Sequence, residues 1–469
     1  MSFPRASHMR RIGLATPFSF GLALGGALLS SMCGLQESEP GSRTGSSGSP
    51  GATTGSGAGG ATTGSGSSAT TGSGGSTPPG TGGTGGTGGP PVTGFPKVTV
   101  FEADACHDLD IAVSPEFVAT ATNSGHLVFH GRDGRVDHTF DFQNNMGDQH
   151  LVWDDSSKRW FASFMDDGLM YVSASTDATG KTWTPHLHII GESDVDNPNL
   201  TVTSDKLALV NYACIYVVDK SVVMAGKTTT ITPTPNCGLK RNDQIYGVDY
   251  GIPVPSTAYF VTMSDDAHVN WISVEGTPQA GNLVVKQNQL SVAGFKEMPP
   301  FPGVQEQGGT YLRNSGQVAD WHAGHLWWSK AGKCQGAETL TCVRMFDIDT
   351  QSNTLHDFEY AVPGVSLWSA APGIDRGGNM WTLMSQVSPT TPPSLLVAGM
   401  SATGVLTAPK IVFQGTQPDV TGSMGGDWGD FFDCAPDPID DSVWCIGNYG
   451  GAPVDGCRTP AKVVHIATQ

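Results

Sequence analysis

The chain has 469 residues, only 14% of them charged, and its 25 lysines and arginines face 43 aspartates and glutamates for a formal net charge of −18. That balance opposes a nucleic-acid backbone or an anionic lipid surface as partner. It suits Ca²⁺ or a neutral glycan, and it leaves solubility to neutral polar groups.

Arg10 and Arg11 precede an uncharged apolar stretch from Ile12 to Leu29, and small residues then lead into Cys33, the layout of a secretory signal. Pro17 and several glycines interrupt the run and no basic flank follows, so it reads as a cleaved signal rather than a membrane span. Met9 is an alternative start. Ser30-Ser31-Met32-Cys33 resembles a bacterial lipobox, in which the cysteine is acylated, although Met32 stands where that pattern has a small residue. Residues 1–33 are therefore expected to be a lipoprotein-type signal peptide. Acylation of Cys33 places the protein at the outer membrane or cell surface, touching the membrane only through that lipid. Ordinary cleavage and secretion is the alternative.

From Gly34 to about Pro96 the sequence is almost wholly Gly, Ser, Thr and Pro, and Ala-Thr-Thr-Gly-Ser-Gly recurs at 52–57, 61–66 and 69–74. Without apolar side chains to offset backbone ordering, residues 34–96 are expected to be a disordered linker. As a random coil of roughly 60 residues its ends would lie about 45 Å apart.

The chain has nine cysteines; Cys33 aside, Cys106, Cys214, Cys237, Cys334, Cys342, Cys434, Cys445 and Cys457 remain, an even number in an oxidising compartment. Disulfides are expected, because no Cys-x-x-Cys pair or His-x-x-x-His helix suggests a metal. Cys334 with Cys342 would close a loop, and Cys434 could face Cys445 across a hairpin.

Residues 97–469 alternate short β-rich runs with Asp, Gly, Pro and Ser punctuation, and apolar residues at helical spacing are nearly absent. The clearest unit runs Gln149–Trp153, Arg159–Met165, Leu169–Ser175 and Thr182–His188, with explicit turns at 154–157, 166–168 and 177–180. Similar units open near Asp108, Asp148, Asp196, Asp243, Thr310, Leu367 and Asp430, a spacing of roughly 50 residues that suits propeller blades. The expected fold is all-β, a single β-propeller of seven blades. Six is the alternative, since residues 243–302 are loosely patterned. The last unit shows strands at 430–435, 443–449 and 461–466, which leaves a place for Lys97–Phe101 to close the ring. A monomer is expected.

Asp148-Gln149-His150-Leu151-Val152-Trp153-Asp154 with Arg159-Trp160, Ile111-Ala112-Val113-Ser114-Pro115, and Trp428-Gly429-Asp430-Phe431 with Val443-Trp444 together resemble exported sialidase-like propeller proteins of bacteria. Gln149 and Phe431 depart from the Pro and Tyr of that pattern. Ser175-Thr176-Asp177-Ala178-Thr179-Gly180-Lys181-Thr182-Trp183 resembles the Asp box of sialidases with one inserted residue. The resemblance implies a turn-stabilising carboxylate and a tryptophan packed between blades. It implies little about activity, since members of this group are mostly of unknown function.

Sialidase chemistry needs an arginine cluster on the substrate carboxylate. Arg132, Arg135, Arg159, Arg344, Arg376 and Arg458 fall at turns or in later strands, and only Arg241 and Arg313 lie near inner-strand openings. The cluster does not assemble, so no catalytic residue is assigned. Asp108, Asp148, Asp196, Asp243 and Asp430 open inner strands of different units and would meet at one mouth of the central channel. Each could simply cap its own turn. The sharper expectation is a seat for Ca²⁺ or a polyhydroxylated ligand, a glycan or a surface protein being the partner. Asp320, His322 and His325 form a compact acid and histidine group flanking a hairpin turn, without an evident nucleophile. Trp321, Trp327, Trp328, Trp368 and Trp381 could stack sugars, but tryptophans between blades usually serve packing.

Overall fold

Alternating apolar residues on both faces of a strand demand a neighbour on each side, and the chain satisfies this demand by stacking its sheets around an axis. The computed structural model describes residues 95–103, 108–123, 125–142, 147–166, 169–189, 198–211, 214–227, 245–294, 319–388, 390–417, 432–452 and 460–468. The signal segment, Cys33 and the low-complexity stretch lie outside the described residues.

Seven sheets form seven blades. Blade 1 comprises Asp110–Val113, Phe117–Ala121, His126–Gly131 and Val136–Asp141, from the axis outward. Blade 2 is Gly147–Asp154, Arg159–Asp166, Leu169–Ala174 and Leu187–Ile189, close to the unit expected from the sequence. Three strands of blade 3 are described, opening with Asn199–Val202, and the short helix Lys220–Met224 follows them. The inner strands of blades 5, 6 and 7 are Ala319–His322, Ser366–Ile374 and Asp433–Pro436. Thr310, near which the sequence opens the fifth unit, lies outside the described residues.

Blade 4 departs from the regular plan. Its first strand, Ile245–Tyr246, pairs inside the blade, but after Gly247 the chain crosses to the next blade. There Val248–Tyr250 runs parallel to Ala319–His322, with Asp249 opposite Asp320. A side chain at Gly247 would bring a Cβ within 2.8 Å of Thr201 Oγ1, so glycine permits the crossing.

Closure comes from the N-terminal side. Lys97–Ala103 pairs antiparallel with Ala461–Ala467 as the outermost strand of blade 7, in unbroken register from Lys97 opposite Ala467 to Ala103 opposite Ala461. Phe101 sits near Trp444, and Lys462 pairs with Glu102 across the same ladder.

The core is seven apolar clusters, one in each gap between neighbouring blades. Successive residues of a strand point to opposite gaps. In blade 3, Leu207 and Leu209 enter the cluster with blade 2, while Ala208 and Val210 enter the cluster with blade 4. Such strands are buried on both faces, and Lys206–Asn211 is buried throughout.

Among the described residues, two disulfides staple single hairpins, Cys334–Cys342 and Cys434–Cys445, and both pairings match the expectation. Cys434 and Cys445 are register partners across adjacent strands with Cα atoms 4.0 Å apart.

Removing the closing strand tests the ring. A chain beginning at residue 104 should lose on the order of 3 kcal/mol or more of stability in urea denaturation, from the lost ladder and the bared face of blade 7. A chain beginning at residue 95 should match the full protein. Equal stability of the two truncations would show that this strand does not secure the ring.

Candidate functional site

At the axis, side chains at the heads of the inner strands stitch each blade to the next. Among the described residues five of the seven junctions carry such a bond. The N–H of Leu151 donates to Asp110 Oδ2, and that of Leu200 to His150 Nδ1 at 3.0 Å. Gly247 N–H donates to Asn199 Oδ1 at 2.9 Å, and Ile374 N–H to Asp320 Oδ2 at 2.5 Å. Ile111 N–H donates to Asp433 Oδ2 at 3.0 Å, which joins blade 7 to blade 1. Between blades 4 and 5 the crossing strand replaces the stitch. Between blades 6 and 7 the position is Gly373, where a Cβ would come within 2.5 Å of Val443 and 2.9 Å of Cys434.

Four buried carboxyl groups face this axis: Asp110, Asp249, Asp320 and Asp433. Burial is the main reason that all four hold their protons more tightly than usual. Asp320 is pushed up to about 8 and Asp433 to about 6. Asp110 and Asp249 are also raised well above the ordinary carboxylate range, by burial first and then by the neighbouring Asp433 charge. Asp110 and Asp433 are hydrogen-bonded to each other, and the bond favours the proton on Asp110. His150 is driven down to about 3 by burial. Its Nδ1 accepts a backbone N–H, so its proton sits on Nε2. Asp249 Oδ1, Asp320 Oδ1, His150 Nε2 and Asn199 Nδ2 are buried without a hydrogen-bond partner.

A cavity of about 560 Å³, counting solvent at its mouth, opens where the inner strands end. Asp249 lines it at the level of the axial acids, and Trp153, Tyr250, His322, Arg376 and Asp155 line its walls and rim. The irregular blade makes the room. Gly251 follows the crossing strand, and a Cβ there would press on His322 Nδ1 at 3.4 Å. Tyr250 is fixed, its hydroxyl accepting the Tyr259 N–H at 2.7 Å and donating to Thr257 O at 3.2 Å. The Trp153 indole N–H has no acceptor. Burial alone would raise Asp437 at the rim, but hydrogen bonds from Arg132, the Ile439 N–H and Trp444 hold it below the usual range. Arg376 donates to Ile439 O at 3.1 Å and is otherwise exposed.

The residues singled out in the sequence separate into groups. Asp108 and Asp148 lie at the other end of the inner strands, buried and at positive φ of 48° and 49°. Asn123 ties them together, donating through Nδ2 to Asp108 and accepting the Asp148 N–H at 3.0 Å. Asp196, Asp243 and Asp430 lie outside the described residues. Asp320, His322 and His325 do not form one constellation. Asp320 belongs to the axis, and His322 lines the cavity with its basicity lowered chiefly by burial. His325, across a two-residue turn with positive φ at Ala323 and Gly324, pairs with Asp347 at 2.7 Å, which raises it. Arg132, Arg159 and Arg344 bind Asp437, Ser175 O and Asp357 respectively. Arg241, Arg313 and Arg458 lie outside the described residues. Trp327, Trp328, Trp368 and Trp381 are buried in blade interfaces, and half-buried Trp321 stacks on Tyr259.

In the turn at 175–183, Asp177 Oδ1 accepts the Thr179 N–H at 2.8 Å and Trp183 donates to Gly180 O at 2.9 Å. Trp183 lies against Phe140 and Phe142 of blade 1. Among the described residues, the groups placed to hold a metal ion are Cys334, Cys342 and Glu359, and Asp437, Asp440 and His465. The first pair of cysteines is already a disulfide, and Asp437 is occupied by Arg132. The axial acids form no such trio.

Sequence reasoning passed over Asp110, Asp249 and Asp433. Their signal is an aspartate directly before an apolar residue at a strand head, as in Asp110-Ile111, Asp249-Tyr250, Asp320-Trp321 and Asp433-Cys434.

No protein-family model and no curated protein matches this chain. Solved structures do. The β-propeller domain of Cps50 (Swd1) from Myceliophteria thermophila is 10% identical, with 79% of this chain and 98% of that one covered and a TM-score of 0.46. A fungal alcohol oxidase of the AA5 family in complex with copper is 13% identical, covering 80% and 77%, at 0.48. BamB from Moraxella catarrhalis is 10% identical, covering 78% and 98%, at 0.38. At these values the likeness is one of architecture alone.

The axial acids predict a stability profile. An unfolded aspartate titrates at about 3.9, so the native state holds extra protons on Asp320 up to about pH 8. Stability therefore falls as pH rises through that window. Histidines lowered by burial oppose this trend, but only below about pH 6.5. Between pH 6.5 and 8.5 stability should decline, by at most about 1.4 kcal/mol per pH unit for each group titrating. Asp320→Asn, which keeps an acceptor for the Ile374 N–H, should flatten the decline in urea denaturation. An unchanged slope would place the titrating group elsewhere.

Proposed function

We propose that this protein is an exported, lipid-anchored binding module whose ligand sits in the axial cavity at the ends of the inner strands, and that the ligand is polyhydroxylated, a glycan. The observation that carries the reading is Asp249, a buried carboxyl group with an unpartnered oxygen in a cavity open to solvent. Around it, Trp153 offers an apolar face and a free N–H, and His322 and Arg376 offer polar groups at the rim. An apolar wall with a few placed polar groups is the usual composition of a small-ligand site. Cys33 would be the acylated N-terminus, and the Gly/Ser/Thr linker 34–96 would hold the domain away from the membrane. The Asp box resemblance at 175–183 and the strand-head motifs support kinship with sialidase-like propellers in architecture. Arg132, Arg159 and Arg344 are committed to other partners, which leaves Arg376 alone among the described arginines at the cavity and speaks against sialic-acid chemistry.

A glycan-processing hydrolase or lyase is the second reading. Asp249 favours it, since burial makes its carboxyl group hold a proton more tightly than usual, as a general acid requires. A glycan array together with a panel of chromogenic glycosides separates the two. Binding without turnover, weakened roughly tenfold or more by Trp153→Ala, is the expected outcome. Turnover abolished by Asp249→Asn, or by substitution of Asp148 or Asp430, establishes the enzyme instead. A domain that neither binds nor turns over any glycan would dispose of both.

A further inference from the structure

Four carboxyl groups crowd the axis, yet among the described residues none of them forms an ion pair, although thirteen such pairs occur elsewhere in the molecule. Burying acids without a counter-charge is costly and is normally relieved by protons, a metal or a bound cation. A metal would require several ligand atoms converging on one point, and the axial acids do not provide that convergence. An ammonium group needs only one or two acceptors at hydrogen-bond distance. Asp249 Oδ1 offers one in the cavity, with Asp320 Oδ1 beside it on the paired strand.

A second observation is independent of the acids. Trp153, which lines the cavity, carries a buried indole N–H that has no partner. Such a donor suits a hydroxyl or ring oxygen. A ligand that presents one cationic nitrogen beside an oxygen answers both the Asp249 oxygen and the Trp153 N–H.

We propose that the cavity takes an amino sugar with a free primary amine, the ammonium group docking on the Asp249 carboxyl while the sugar ring lies against Trp153. This inference rests on the glycan-binding reading above. Burial first, and then the charges of Asp433 and Asp320, favour the neutral form of Asp249. The other charged groups around the cavity are Asp155, His322, Arg376 and the Arg132-paired Asp437. Docking an ammonium ion reverses the balance, so the carboxyl group ionises and its proton leaves to solvent. The chain's net charge of −18 favours approach of a cation, whereas N-acetylation removes the charge and adds bulk at the floor.

Titration calorimetry of the full chain at pH 6 with a glucosamine tetramer and its fully N-acetylated counterpart tests the proposal. The free-amine tetramer should bind at least about tenfold tighter, with a proton release that shows as a dependence of heat on the buffer's ionisation enthalpy. Asp249→Asn replaces a neutral carboxyl group with a neutral amide of the same shape, and it should abolish both the preference and the proton release. Arg376→Gln should strengthen binding of the free amine. Equal affinities, absence of proton release from the unmodified protein, or a preference that survives Asp249→Asn overturns the proposal and leaves the glycan reading standing. Failure of both tetramers to bind overturns it as well, and the array then decides the glycan reading separately.

Discussion

Each blade of this protein is apolar on both faces, and every other property of the fold follows from the need to cover both. A twisted four-stranded sheet with Leu207 and Leu209 on one side and Ala208 and Val210 on the other has no stable existence alone. Stacking the next blade covers one face and exposes another, so the requirement is passed around the axis until the last blade meets the first. The seven clusters are therefore one continuous interaction repeated. Ala435, Trp444 and Val463 against Leu109, Ile111 and Val118 complete it.

Apolar contact is non-directional and cannot by itself fix how far one blade slides along the next. The polar stitches at the axis supply that direction. A carboxyl, amide or imidazole group that accepts a specific N–H of the following inner strand sets the height of that strand, and a one-residue slip would leave both groups unpaired in a dry interior. Aspartate at these positions serves register first. Its chemical potential arises where the stitching pattern breaks, at the crossing between blades 4 and 5, because Asp249 there has no following strand head to bind and keeps an oxygen without a partner in a residue that lines the cavity. Structure and candidate site thus share one residue type, separated only by whether a backbone donor is within reach.

Much of the architecture was legible in the sequence because it depends on local periodicity. Turn residues at 154–157 and 166–168 bounded the strands of blade 2 to within two residues over its first three strands, and the place left open in the last blade identified Lys97–Phe101 as its closing strand, which the structure extends to Ala103. The two described disulfides were legible for the same reason, since each lies within a hairpin. The cavity was not. It depends on Gly247 releasing a strand from its own blade to another, a tertiary choice that no periodicity records. The attention given to Asp108 and Asp148 was displaced by a few positions from Asp110 and His150. A residue at positive φ and one pointing down the axis lie two apart on the same strand head, and composition cannot tell the turn residue from the axial one.

The closing strand has a consequence for the order of events in synthesis. Lys97–Ala103 emerges before every other described strand, yet its partner Ala461–Ala467 follows all of them, so a seven-residue edge must wait through the translation of every blade before it finds its place. During that interval the nascent chain is an incomplete arc with two sticky ends, and cooperative stability arrives only with the final strand. A ribosome stalled anywhere before residue 461 would release a species prone to join its arc to that of another molecule.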